Sequence, residues 1–417
     1  MHESFRDAEG SRLLGRSVDL EKAFKQLGRR QAHASFAIFC VWNPRLRRAE
    51  FFEALARPFG VRASVHSFNR LARALAVILA ALFKIPVTHY FDDFPIVVPS
   101  ADAESAEDIT LKIFELLGWK IKMSGDKALP FSDVFDSLGV SFDLRGSNAG
   151  KAQITNKKER VEMLVQDIEA TLKSGRLTPA QAASYRGRLI FAQGQTFGRC
   201  GLTSLRVLGD WAAPSRTGQR PAWWRVERAL RFWKEYFRIA APRTLDSRLD
   251  RPALVFTDGA CEGQNFEQVT VGGVLVEEHG YKREYFGFKV PPALVAAWQQ
   301  NGTRQTIGQA ELLPVLVAKL VWSRRLQGRR TLHFIDNESA RLALIKGASP
   351  SAASASIIDA FWHNEARIAA ASWFERVPSA SNISDSASRL DFAAPELAGA
   401  VPIEAMWAAE GVAGALW

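Results

Sequence analysis

Cysteine, methionine and tyrosine are scarce in this chain: three, four and five residues respectively out of 417. Cys40, Cys200 and Cys261 lie far apart and are odd in number. That excludes a disulfide framework and any zinc-ligand spacing, and it suits a reducing compartment. The opening MHESFRDAEG lacks a signal-peptide pattern. Long apolar runs are missing as well. The longest, ALAVILAALF at 74–83, is about half of what a membrane span requires. The expectation is a soluble intracellular protein, cytoplasmic or nuclear, with no membrane partner. Acid is in deficit: 44 Asp and Glu face 54 Lys and Arg, a formal charge of +10. A balance this basic points to a polyanionic partner, most simply nucleic acid, and says nothing about fold.

What is present is enough to build cores, since 47% of residues are apolar. The length allows two or three domains. Positive charge concentrates in 151–245, where 18 Lys or Arg face 7 Asp or Glu, a local net of +11. Phe191, Phe197, Trp211, Trp223, Trp224, Phe232 and Trp233 lie among these charges. The pattern fits a solvated helical surface over a core, or a groove that tracks a phosphate backbone. Lys157, Lys158, Arg186, Arg188 and Arg199 are the candidate phosphate contacts.

Along the chain, 17–100 alternates strand-like and helix-like pieces. HASFAIFCVW (33–42) is β-rich. From 64 to 83, Phe68, Leu71, Leu75, Ile78, Leu79 and Leu82 recur at spacings of three and four, which predicts a helix. THYFDDFPIVV then reads as two short strands with Asp92 and Asp93 at the bend. A helix near 104–118 and strands near 119–123 and 135–142 follow. The Gly, Ser and Asn of DLRGSNAGK (143–151) mark a loop. Beyond it come amphipathic helices; one opens with Thr178 as N-cap and Pro179 at its first position. APRTLDSRLDRPA (241–253) is a second break. After it a β-β-β-α-β-α-α-β-α order predicts one mixed sheet with helices packed on it.

Two adjacent carboxylates between apolar strands need a cation, a raised pKa or full solvation. Asp19 also ends a β run, in SVDLEKAF. If that strand lies beside the Asp92–Asp93 hairpin, three acids converge, and such a cluster suits two divalent ions. Hard oxygen ligands point to Mg²⁺, with Mn²⁺ as a substitute. A second set has the same character. Asp258 ends ALVFTDGA, Glu311 lies on the helix of IGQAELL, Asp336 ends TLHFIDN, and Asp385 begins the last helix, in SNISDSASRL.

SVDLEKAF, PFGVRAS, YFDDF and FDSLGVSF, in this order and with 73 residues from Asp19 to Asp92, resemble the palm motifs of reverse transcriptases. The style is that of retroelements, with long terminal repeats or of the DIRS type. The resemblance implies that Asp19 and Asp92 hold the metals and that Asp93 supports the site. It places Phe24 against the sugar 2′ position, Gly60 near template and incoming base, Tyr90 near the primer end and Lys127 near the leaving pyrophosphate. Only 18 residues precede Asp19, so the fingers region is expected to be largely missing.

TDGA, the helix-borne glutamate, the strand-end DN and SNISDSASR similarly resemble ribonuclease H. That resemblance implies that Asp258, Glu311, Asp336 and Asp385 hold two magnesium ions and that the chain hydrolyses the RNA strand of an RNA–DNA hybrid. A histidine that many relatives carry shortly before the last aspartate is absent from RVPSASNISD, which implies altered product release. The fold class expected is α/β and α+β multidomain: a palm at 1–145, a helical thumb and connection at 146–245, a ribonuclease H-like mixed sheet at 253–395 and a tail at 396–417. The expected partners are an RNA template, a DNA primer, their hybrid and deoxynucleoside triphosphates; no oligomeric state follows. The alternatives are a nuclease alone, or a binding protein without catalysis.

Overall fold

The computed structural model describes residues 12–58, 60–125, 128–194, 199–213, 218–247, 251–263, 268–277, 282–299 and 305–415. The chain divides into two compact units: Met1–Lys157 with Leu245–Ser247, and Lys158–Thr244 with Arg248–Trp417.

In the first unit, β1 (Leu13–Asp19) pairs antiparallel with β4 (Asp93–Pro99). Between them come the hairpin β2 (Ile38–Asn43) and β3 (Arg48–Glu53), then helix α1 (Arg62–Phe83). Helix α2 (Ala103–Leu116) follows β4. The antiparallel meander β5 (Val134–Ser137), β6 (Val140–Asp143) and β7 (Lys151–Asn156) comes next, with residues 245–246 of β8 (Arg243–Asp246) at its edge. By length and hydropathy alone α1 could cross a membrane. Its stripe of Phe68, Ala72, Leu75 and Leu79 is instead buried against Phe94 and Ile96 of β4 and Phe114 of α2. Apolar residues at spacings of three and four produce that stripe. The hairpin behaves differently: Phe39, Val41, Trp42, Phe51 and Phe52 are all exposed.

In the second unit, four helices come first: α3 (Lys158–Ser174), α4 (Pro179–Gly194), α5 (Leu202–Ala212) and α6 (Trp223–Ile239). The start of α4 is a capping box. Thr178 Oγ1 accepts from the Gln181 N–H at 3.2 Å, and Gln181 Oε1 accepts from the Thr178 N–H at 2.8 Å. Then come β9 (Ala253–Glu262), β10 (Gln268–Glu277), β11 (Lys282–Lys289), α7 (Pro292–Trp298), α8 (Ile307–Val321), α9 (Ser323–Leu326), β12 (Arg330–Ile335), α10 (Glu338–Lys346), α11 (Ala352–Ile368), β13 (Ala371–Arg376), α12 (Asp385–Ser388), β14 (Val401–Pro402) and α13 (Met406–Ala415). Six strands form one sheet in the order β13-β12-β9-β10-β11-β14. It is mixed: β9, β10 and β11 run antiparallel, while β12 and β13 run parallel to β9.

Every residue of α8 from Gln309 to Lys319 is buried. Its apolar character all round marks it as the helix at the centre of the core. One hydrophobic cluster runs from Leu164, Tyr185, Leu205 and Trp233 of the four helices to Val255, Leu316 and Phe361. The four helices and the sheet therefore share a single core. Buried inside it, the Lys319 ammonium sits 2.5 Å from the Glu365 carboxylate and donates to Ser372 Oγ at 2.9 Å. The Ser372 hydroxyl donates back to Glu365 at 2.9 Å, and its backbone N–H donates to the other Glu365 oxygen at 2.7 Å.

Candidate active sites

In the first unit, the β1–β4 ladder sets Asp19 directly opposite Asp93. The turn before β4 is closed by Tyr90 and Asp93, each N–H donating to the other's carbonyl at 2.9 and 3.1 Å. Phe91 has a φ of 53°, a left-handed backbone that an aromatic residue seldom adopts. This strained turn keeps Asp92 at the tip, with its carbonyl accepting from the Leu20 N–H at 3.1 Å. Asp19, Asp92 and Asp93 are thus brought together. Burial raises the Asp92 carboxyl above its ordinary range; its own backbone hydrogen bond pulls the other way, and the charges of Asp19 and Asp93 push further up. A hydrogen bond shared with Asp19 adds to the rise.

The sequence motifs did not single out Lys122. Its N–H donates to the Asp19 carbonyl at 2.9 Å, and its ammonium pairs with the buried Asp19 carboxylate. The alternation of basic and apolar residues in WKIKM was the available signal. Phe24 is buried and stacks on Phe68 of α1 at 4.5 Å between ring centroids. Gly60 has a φ of 85°, which a side chain would strain. Tyr90 is exposed and meets Phe91 edge-on at 4.9 Å. Lys127 lies outside the described residues.

In the second unit, Asp258, Glu311 and Asp336 each offer an oxygen, and these atoms lie within 4.8 Å of one another. The elements explain why. Asp258 does not end its strand, as the sequence predicts, but lies inside the ten-residue β9, because the ladder to β10 continues past it from Gly259 to Glu262. The absence of a side chain at Gly259 lets the α8 backbone press onto β9, since a Cβ there would strike the Ala310 carbonyl. The next residue on α8 is Glu311. Asp336 directly follows β12, where Asn337 caps α10 by accepting from the Ala340 N–H at 3.0 Å. Asp385 opens α12, and that short helix lies on two more glycines. A Cβ at Gly272 would meet the Ser388 backbone, and one at Gly287 the Ala387 carbonyl. Asp258, Gly272 and Gly287 are neighbours across β9, β10 and β11. The glycines therefore bring α12 down beside Asp258, and the Ser388 hydroxyl donates to its carboxylate.

Burial raises the Asp258 carboxyl; the Ser388 bond opposes this, and the charges of Asp336 and Asp385 reinforce it. Glu311 is pushed up to about 9, first by burial and then by Asp258 and Asp336, with a hydrogen bond to Asn337 pulling down. Glu311 Oε2 and Asp336 Oδ1 are buried and accept no hydrogen bond from the described residues. The other Asp336 oxygen accepts from Ser379 at 2.8 Å. Asp385 lies outside the tight trio and pairs with Arg389 at 2.9 Å. Ser379, Ser388 and Arg389 were not singled out by the sequence motifs; the SDSASR hexapeptide holds two of them. Mutually repelling, buried carboxylates with bare oxygens fit a hard divalent cation held by oxygen ligands.

The candidate phosphate contacts are dispersed. Lys157 pairs with Asp136 at 2.8 Å, Lys158 with Glu162 at 3.7 Å and Arg188 with Asp167 at 2.8 Å. Arg199 lies over the Trp362 ring at 5.7 Å. Arg186 lines a groove together with α5 and the end of α10.

No protein-family model matches the chain, and no curated protein matches it. Among the solved structures that match is the foamy viral protease-reverse transcriptase in complex with dsDNA. It is 15% identical with a TM-score of 0.45, over 88% of this chain and 68% of that one.

Proposed function

We propose that the chain is a retroelement-derived RNA-directed DNA polymerase with ribonuclease H, and that its second unit hydrolyses the RNA strand of an RNA–DNA hybrid with Mg²⁺. The observation that carries this reading is the meeting of Asp258, Glu311 and Asp336 within 4.8 Å, from a strand interior, a buried helix and a strand end. These three acids would hold the cations, with Asp385 joining them once it leaves Arg389. When bound, magnesium supplies the Lewis acidity that activates a water and offsets charge on the leaving 3′ oxygen. The Ser388 hydroxyl keeps one Asp258 oxygen engaged and so fixes the carboxylate plane, and Ser379 does the same for Asp336. Purified protein with Mg²⁺ should cleave a labelled hybrid, and Asp258→Asn and Asp336→Asn should each abolish cleavage. Cleavage unchanged in both variants refutes the reading.

The polymerase half is proposed on the convergence of Asp19, Asp92 and Asp93 at the end of the β1–β4 ladder. In this reading 1–145 is a palm and 146–245 a thumb and connection. Lys122 balances Asp19 until a divalent cation takes its place. Phe24, backed by Phe68, limits the sugar 2′ position, while Gly60 and Tyr90 flank template and primer. Primer extension with deoxynucleoside triphosphates tests this half. Extension that survives Asp92→Asn removes it and leaves the nuclease alone.

A further inference from the structure

In the second unit, a groove of about 710 Å³ opens between α4, α5 and the C-terminal end of α10. Its rim carries three cations, Arg186, Arg206 and Lys346, and one acid, Asp210. Its floor is apolar, from Ile190, Leu202 and Leu205. Most basic side chains of the neighbouring helices are already matched with acids: Arg188 with Asp167, Arg231 with Glu227, Lys234 with Glu169, and Arg341 with Glu338. The three cations of the groove pair with none of the described residues. Arg186 packs close over the α5 backbone at Gly209, where there is no side chain. A Cβ at Gly209 would sit 3.1 Å from Arg186 Nε. Lys346 offsets the negative end of the α10 dipole, which would otherwise repel an anion.

Helix α10 ties this groove to the acids. Asp336 stands just before its N-terminus and Lys346 is its last residue. The nine residues of α10 span about 13 Å at 1.5 Å each, and Asp336 stands two residues before them, so the two lie on the order of 15 Å apart. One strand of a B-form duplex carries a phosphate every ~3.4 Å along the axis, and an A-like hybrid rises less per step, so that span is about four to five base steps. Exposed, acid-free cations beside apolar lining residues match a sugar–phosphate backbone, whose phosphates are anionic and whose sugars present carbon.

We propose that this groove binds the backbone of the hybrid about four to five base steps from the acid cluster, through Arg186, Arg206 and Lys346. The proposal rests on reading the acids as the hydrolytic site, and it sets how much duplex the enzyme must grip beside the scissile bond. The test uses the full chain and the triple variant Arg186→Ala, Arg206→Ala, Lys346→Ala. All three side chains are exposed, so the melting temperature should not change. Binding to a long hybrid is measured in EDTA across a salt series. Each phosphate contact contributes about 0.9 to the log–log salt slope, so the variant should lose about 2–3 in slope. In Mg²⁺ the variant should raise KM at least tenfold on long hybrids and leave kcat unchanged. On hybrids ending within about four steps of the cut, on the groove side, the two proteins should be equal. Arg186→Lys with Arg206→Lys should restore most of the slope. An unchanged slope overturns the groove, whatever the nuclease does. A reduced slope in a protein that never cleaves keeps the groove as a backbone site and overturns the hydrolytic reading instead.

Discussion

Replacing Glu311 by glutamine should make the metal-free protein more stable, even though it destroys the proposed metal site. In an unfolded chain this carboxyl ionises near 4.5, and in the fold it keeps its proton to about 9. Between those values the unfolded state has released a proton that the folded state still holds, so stability falls as pH rises through the window. At pH 7 the cost is 2.5 pH units at 1.36 kcal/mol each, about 3 kcal/mol. Glutamine has nearly the same shape and never ionises, so the variant avoids that cost. Melting in EDTA should show no difference at pH 4. By pH 7 the variant should lead by about 6–12 °C, and by more toward pH 9. Added Mg²⁺ should reverse the order, because only the wild type offers the carboxylate and gains from binding. Parallel curves for the two proteins from pH 4 to 9, or a variant less stable at pH 7, would refute the account of Glu311 as a carboxyl kept protonated by burial and by its acidic neighbours.

Four other outcomes follow from the packing. Gly272→Ala pushes a methyl group into the Ser388 backbone; it should cost about 2–4 kcal/mol in urea unfolding and abolish hybrid cleavage. Lys122→Met leaves the Asp19 carboxylate buried without its ammonium; because Lys122 itself is partly exposed, the loss should be about 1–3 kcal/mol by urea unfolding, and Mg²⁺ should recover part of it. Lys319→Met strands Glu365 in the core and should cost about 3–5 kcal/mol, whereas Lys319→Met with Glu365→Leu should return to within about 1–2 kcal/mol of the wild type; a double variant as unstable as the single one refutes the ion-pair assignment. Isothermal titration should detect Mg²⁺ in the wild-type second site and a weakening of at least tenfold in Asp336→Asn, with the Asp19–Asp92 site unaffected.

Much of this arrangement could be read in advance. The strand, helix and strand order after 253 was legible because alternating and helical periods switch cleanly there. Asp258 and Asp336 were legible because each stands where an apolar strand run meets small or polar residues. The rest depends on neighbours that one sequence does not display. Lys122 is an ordinary lysine until Asp19 lies against it. The β run near 119–123 shrinks to a single bridge, Leu20 with Ile121. HASFAIFCVW reads as β-rich, but only its second half is strand and that hairpin stands exposed, since apolar side chains are buried only when something packs on them. The VGGVL of β10 reads as a weak strand by propensity. Its first glycine is there because a helix occupies the space above it.

That last feature bears on how the chain can vary. Where α8 and α12 meet the sheet, backbone touches backbone, and the spacing of the carboxylates is fixed by the thickness of bare peptide. Surrounding aliphatic residues can be exchanged for others of similar size at some loss of firmness while the acids hold their separation. Chemistry at such a centre can persist through extensive drift in the interior, provided a handful of positions never acquire a carbon.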